Sequence, residues 1–186
     1  MGLKRSKDKG PDAAMMALVL VSIMLGGMAA GLVAQRGEAL ERYEKDSRKG
    51  PVVLDFSVVT VDGKALNLSD LRGRPVFLDL MATWCGVCRM QMPMLNETYN
   101  SFKDQVVFLS IGMDWFETDE DLRGYKNQYG AQWTFALDRT GEVYGATYAQ
   151  AYPTLLIIDK DGRMVFYHEG AITQADLLEA VHLVAP

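Results

Sequence analysis

Residues 76–89 read Val76-Phe77-Leu78-Asp79-Leu80-Met81-Ala82-Thr83-Trp84-Cys85-Gly86-Val87-Cys88-Arg89, and this stretch decides the fold. Its first half, up to Met81, is a nearly continuous apolar run. Such a run suits a central strand buried on both faces. Its second half holds the only two cysteines of the chain, three positions apart. A helix is predicted from about Cys88 to Phe102. Cys85 therefore falls where a strand gives way to a helix. The unpaired N–H groups and dipole at a helix N-terminus favour negative charge there, and hence a thiolate. Cys88, one turn in, is expected to be the more buried of the two.

A bridge between residues so close constrains little of the unfolded chain and stabilises little. Reactivity or metal binding explains the pair better. A structural zinc site needs four ligands, and the only histidines, His168 and His182, lie far along the chain. The spacing instead gives the two sulfurs distinct roles. Cys85 attacks a partner's disulfide or receives attack from a partner's thiol, and Cys88 resolves the mixed disulfide. Asp79 stands alone in its apolar run, where a carboxylate is costly unless it is paired or protonated. Two readings are open. It is either a strand residue that reaches solvent or a buried acceptor for the proton that Cys88 must lose.

Around this stretch the pattern is legible at both ends. Val53 to Thr60 reads as a strand, Asp62-Gly63 as a turn, and Ala65 to Leu68 as the return strand of an N-terminal hairpin. Val106 to Met113 reads as a second buried strand. Glu117 to Tyr129 reads as a helix with Thr118 as candidate N-cap. Thr154–Asp159 and Met164–Tyr167 read as strands around Lys160-Asp161-Gly162, and Thr173 caps a last helix to Val184. The order implies an α/β fold: a central mixed sheet covered by helices on both faces.

The chain has 186 residues, and the part from 51 to 186 is long enough to bury its own core. That part carries 10 Lys/Arg against 18 Asp/Glu, with no basic patch, so nucleic acid is not an expected partner. Residues 13–34 contain no charge and match the length of a bilayer-spanning helix. A cleaved leader is the alternative, with Ala29-Ala30-Gly31 offering small residues, but the run is longer than a usual signal core. The expected layout is a basic tail (1–12), a transmembrane anchor (13–34), a charged linker (35–50) and a folded domain (51–186). The ten residues before the anchor carry four basic residues and the ten after it two. This count favours the N-terminus inside, although a wider count erases the bias. Chemistry then points to a domain outside the cytoplasm, where an exposed, tethered dithiol makes most sense.

The ordered set Phe56, Asp62-Gly63, Leu68-Ser69-Asp70-Leu71-Arg72-Gly73, Trp84-Cys85-Gly86-Val87-Cys88-Arg89, Pro93 and Tyr152-Pro153-Thr154 resembles the thioredoxin superfamily. Within it, the layout is most similar to the membrane-anchored, extracytoplasmic TlpA/ResA type. The resemblance covers Pro51 to Pro186 and implies a thioredoxin-like fold and thiol–disulfide exchange at Cys85 and Cys88. It implies a cis Pro153 packed near the dithiol, and Asp79 at the family's buried aspartate position. It also implies a Tyr152 backbone that pairs with an extended substrate and Trp84 as an apolar contact surface. Protein thiols and disulfides would be the substrates and a membrane carrier the electron donor, with no cofactor and no metal. Two departures stand out. Val87 replaces the family's usual proline, and Gln91 stands where many members have a glutamate. Gln91 cannot titrate, so proton chemistry falls to Asp79 alone. The expected role is reduction of extracytoplasmic protein disulfides, for cytochrome c maturation or copper-site assembly. The alternatives are a disulfide-forming oxidase, or copper delivery through Met90, Met92 and Met94 beside the cysteines.

Overall fold

The computed structural model describes residues 50–185. The expected tail and anchor, and the expected linker up to residue 49, lie outside the described residues. Among the described residues, no helix is long and apolar enough to cross a membrane.

The elements in chain order are β1 (Ser57–Thr60), β2 (Ala65–Asn67), a short 3₁₀ turn (Leu68–Leu71), β3 (Val76–Met81), α1 (Gly86–Phe102), β4 (Val107–Gly112), α2 (Asp119–Tyr129), β5 (Thr134–Leu137), α3 (Glu142–Thr147), β6 (Thr154–Ile158), β7 (Met164–Glu169) and α4 (Gln174–His182). One seven-stranded sheet has the order β2-β1-β5-β4-β3-β6-β7. Strand β3 pairs in parallel with β4 and antiparallel with β6, placing Asp79 opposite Ser110 on one side and Leu155 on the other. The sheet is therefore mixed, as expected, and its fold is thioredoxin-like.

All six residues of β3 are buried. Side chains alternate between faces along a strand. Phe77 and Met81 join a core with Met92 and Leu95 of α1, Leu122 and Tyr125 of α2, and Leu177 and Val181 of α4. Val76, Leu78 and Leu80 join the opposite core with Val143 and Ala146 of α3 and Val58 of β1. Asp79, two positions from both Phe77 and Met81, faces the first core, which also contains Cys85 and Cys88.

Several boundaries differ from the sequence reading. The first strand begins at Ser57. Residues 53–56 lead into it, after a single bridge between Val52 and Arg163. Here the Met164 N–H donates to the Pro51 carbonyl (2.9 Å), the Val53 N–H to the Gly162 carbonyl (3.0 Å), and Arg163 Nη1 to the Gly50 carbonyl (3.0 Å). Helix α1 starts two residues earlier than expected, with Cys85 as its N-cap. Pro93 sits inside α1, which continues through it. Strand β5 and helix α3 were not expected. The strand has four residues, too few for periodicity to show. The helix has six residues and a glycine inside, and the Asp138 carboxylate, accepting from the Val143 and Tyr144 N–H groups, secures its first turn.

Thr118 caps α2 as expected. Its hydroxyl accepts from the Asp121 N–H, and the Asp121 carboxylate accepts from the Thr118 N–H. Thr118→Ala removes one half of this reciprocal pair. It should cost about 1 kcal/mol in chemical denaturation, with the denaturant slope unchanged.

Candidate active site

Cys85 and Cys88 form a disulfide, with Cα atoms 5.3 Å apart. The Cys85 sulfur accepts from the Cys88 N–H at 3.1 Å, as a capping side chain would. The N-terminus of α1 is thus aimed at that sulfur, an arrangement that favours negative charge there. Cys88 is 3% exposed and Cys85 6%, so the expected order holds by a narrow margin.

The peptide bond between Tyr152 and Pro153 is cis. The Tyr152 ring meets Trp84 edge-on, with centroids 6.2 Å apart. Trp84 is more than half exposed, so it is a surface residue rather than part of the core. The structure brings Cys85, Cys88, Trp84 and Tyr152-Pro153 to one end of the sheet.

Asp79 is buried, which removes the solvent-reaching reading. Its Oδ2 accepts from the Ser110 hydroxyl at 2.7 Å, and Ser110 Oγ accepts from Trp133 Nε1 at 2.8 Å. An indole N–H can only donate. It therefore leaves the Ser110 hydrogen free to point at the carboxylate. Burial pushes the Asp79 carboxyl up to about 6, and the Ser110 bond acts against this by favouring the charged form. Close by, the buried Tyr125 hydroxyl has no hydrogen-bond partner, and burial followed by the Asp79 charge pushes its phenol up.

Gln91 is buried on α1, and its Oε1 accepts from the Ile172 N–H at 2.9 Å. It ties the first helix to the segment before α4 and carries no proton. Of the three methionines near the pair, Met90 is exposed while Met92 is buried in the core, so their sulfurs do not converge. Among the described residues, no cluster of His, Cys, Asp or Glu could hold a metal ion.

The sequence did not reveal the grip on the active-site turn. Glu117 Oε1 accepts from both the Thr83 N–H and its hydroxyl (2.5 Å each), and Arg89 Nε donates to the Thr83 carbonyl (2.6 Å). Burial pushes the Glu117 carboxyl up, the two Thr83 bonds pull it down, and Asp114 and Asp121 push it up again. Asp114 holds the Trp84 indole N–H at 2.6 Å. Ser110, Asp114, Glu117 and Trp133 gave no local signal, because each works through a partner 23 to 34 positions away.

A capped dithiol at the start of a helix, at the same end of the sheet as a cis-proline and directly after the strand that holds a buried aspartate, defines a thioredoxin-fold thiol–disulfide oxidoreductase. The comparisons agree. The AhpC/TSA family matches residues 50–167, and the chain belongs to that family. It is 32% identical to the thiol-disulfide oxidoreductase ResA of Bacillus thuringiensis (strain Al Hakam), over 90% of this chain and 95% of that protein. It is 26% identical to the thioredoxin-like protein YneN of Bacillus subtilis, over 78% of this chain and 86% of that one. Among solved structures, a thiol:disulfide interchange protein DsbE from Chlorobium tepidum superposes with a TM-score of 0.67 at 26% identity. That match covers 74% of this chain and 97% of the other.

Asp79 makes stability depend on pH. Its carboxyl binds a proton more tightly when folded (about 6) than at its ordinary value of 3.8. Folding stability therefore falls as pH rises through the interval between these values, and stays lower above it. Asp79→Asn should gain up to about 3 kcal/mol over the parent above pH 7, and nothing below about pH 3.5, in denaturant titrations of the oxidised protein. Ser110→Ala removes the donor that favours the carboxylate. It should move the Asp79 titration, followed by its infrared carbonyl band, to higher pH.

Proposed function

We propose that this oxidoreductase is a membrane-tethered reductant of extracytoplasmic protein disulfides, of the kind that serves cytochrome c maturation or copper-site assembly. The observation that carries the reading is Asp79: buried, facing the core that contains both cysteines, with its carboxyl pushed up to about 6 by that burial. A base poised near neutrality suits a dithiol that must lose a proton before it can reduce anything. The uncharged run 13–34 supports the tether, as does the similarity to ResA over 90% of the chain.

The reaction runs in two exchanges. The Cys85 thiolate attacks one sulfur of the partner's disulfide, forming a mixed disulfide and releasing the partner's other sulfur as thiolate. Cys88 gives its proton to the Asp79 carboxylate and attacks the Cys85 sulfur. The Cys85–Cys88 disulfide forms, and the partner leaves as a dithiol carrying two electrons. A membrane donor returns two electrons to the disulfide. Pro153 packs beside the pair, the Tyr152 backbone pairs with the extended substrate, and Trp84 offers it an apolar surface.

The competing direction is oxidation, and Val87 between the cysteines keeps that contest open, since the dipeptide tunes the thiols. Equilibration with a thiol buffer separates the two. A reductant should poise near thioredoxin's roughly −270 mV, whereas a value above about −180 mV would make the protein an oxidase. In Asp79→Asn, the rate of mixed-disulfide resolution should fall at neutral pH and lose its inflection near pH 6. An unchanged profile would remove Asp79 from the proton transfer.

A further inference from the structure

Between β4 and α2 the chain runs Met113-Asp114-Trp115-Phe116-Glu117. This segment is latched to the dithiol turn by Asp114, which holds Trp84, and by Glu117, which holds Thr83. The Tyr152 hydroxyl adds a longer bond to the Met113 carbonyl (3.4 Å). Within the segment, Asp114 Oδ1 accepts from the Phe116 N–H (2.8 Å) and the Asp114 carbonyl from the Glu117 N–H (3.2 Å). The two acids thus serve the fold, and the two aromatics between them do not. Trp115 is 77% exposed and Phe116 94%. Large apolar side chains held open on a fixed backbone lose little freedom when a partner covers them. Aromatics of this kind are over-represented among the residues that dominate binding.

Beside Trp115 lies a cavity of about 160 Å³, lined by Asp114, Trp115, Leu137, Asp138 and Arg139. It has room for one side chain. Arg139 is paired with Asp119 at 3.2 Å, whereas Asp114 and Asp138 face no cation within ion-pair distance among the described residues. Trp115 and Leu137 provide an apolar wall. The lining suits a long aliphatic stem with a cationic head, which can also lie over the indole ring.

We propose that Trp115, Phe116 and this cavity form a docking surface for a disulfide-bearing polypeptide segment that carries Lys or Arg within a few residues of the reacting cysteine. The proposal rests on the exchange chemistry of Cys85–Cys88 but not on its direction. Charge argues against two other occupants. A second copy would set two acidic domains, each with 18 Asp/Glu against 10 Lys/Arg, face to face over their own dithiols. An anionic lipid surface would be repelled by the same carboxylates.

The test uses the full-length chain in detergent and two disulfide-bonded peptides that differ only in Arg or Gln near one cysteine, with a small aromatic disulfide as control. The parent should exchange with the Arg peptide roughly tenfold faster at low salt, and the advantage should shrink as salt rises. Trp115→Ser with Phe116→Ser should bring the ratio close to one and leave the control rate unchanged. Equal peptide rates in the parent, or a ratio that survives the double substitution, would overturn the proposal. So would a Trp115-dependent blue shift of fluorescence in anionic vesicles without peptide preference, which would assign the surface to lipid. Failure of the parent to exchange with the control would instead strike the dithiol reading itself.

Discussion

Strand β3 is hydrogen-bonded along both edges and covered on both faces, so the direction in which it leaves the sheet is fixed by its neighbours. The chain has only Ala82, Thr83 and Trp84 in which to turn before Cys85 caps α1. That short span sets the dithiol at the end of the sheet, with a helix N-terminus directed at the first sulfur. Loosening β3 would lose the aim as well as the core. The Thr83 contacts enforce the same constraint from outside. Glu117 grips its N–H and hydroxyl from the β4–α2 segment, and Arg89 grips its carbonyl from α1.

The same burial makes Asp79 costly and moves its titration toward neutrality. A carboxyl inside a closed core resists ionisation, and one placed among apolar neighbours alone would stay protonated well above neutrality. The Ser110 hydroxyl limits this, and the Trp133 indole orients that hydroxyl. Two strands and the approach to a third therefore set the titration: β3 supplies the acid, β4 the donor, and Trp133 just before β5 orients the donor. The cost of keeping this carboxyl inside is also why removing it should stabilise the protein.

The legible parts of the sequence were those with strong local signatures. An apolar run broken by one acid gave β3 and Asp79. Two cysteines at helical spacing gave the reactive pair, and the order of Pro93 and Pro153 around them gave the family resemblance. Thr118 announced its own helix. Strand β5 and helix α3 stayed hidden because their ordering comes from elsewhere: β5 is a short strip between β1 and β4, and α3 hangs on Asp138. Glu117 and Asp114 stayed hidden for a related reason. In sequence they are two acids among several between residues 114 and 121, and only the fold shows which of them face the dithiol turn.

The way the chain joins the domain has a mechanical consequence. Gly50, Pro51 and Val53 are bonded to the hairpin turn between β6 and β7, around Gly162 to Met164. That turn lies where β6 ends at Ile158, opposite Val76, whereas the dithiol lies beyond Met81 at the other end of the same strand. The two are separated by the length of β3, roughly 20 Å at the rise of an extended chain. Tension arriving along the preceding segment would be borne by the β6–β7 hairpin and spread across the hydrogen-bonded width of the sheet. The redox pair is thereby insulated from load, and its geometry can be the same whether the chain ahead of residue 50 is slack or taut.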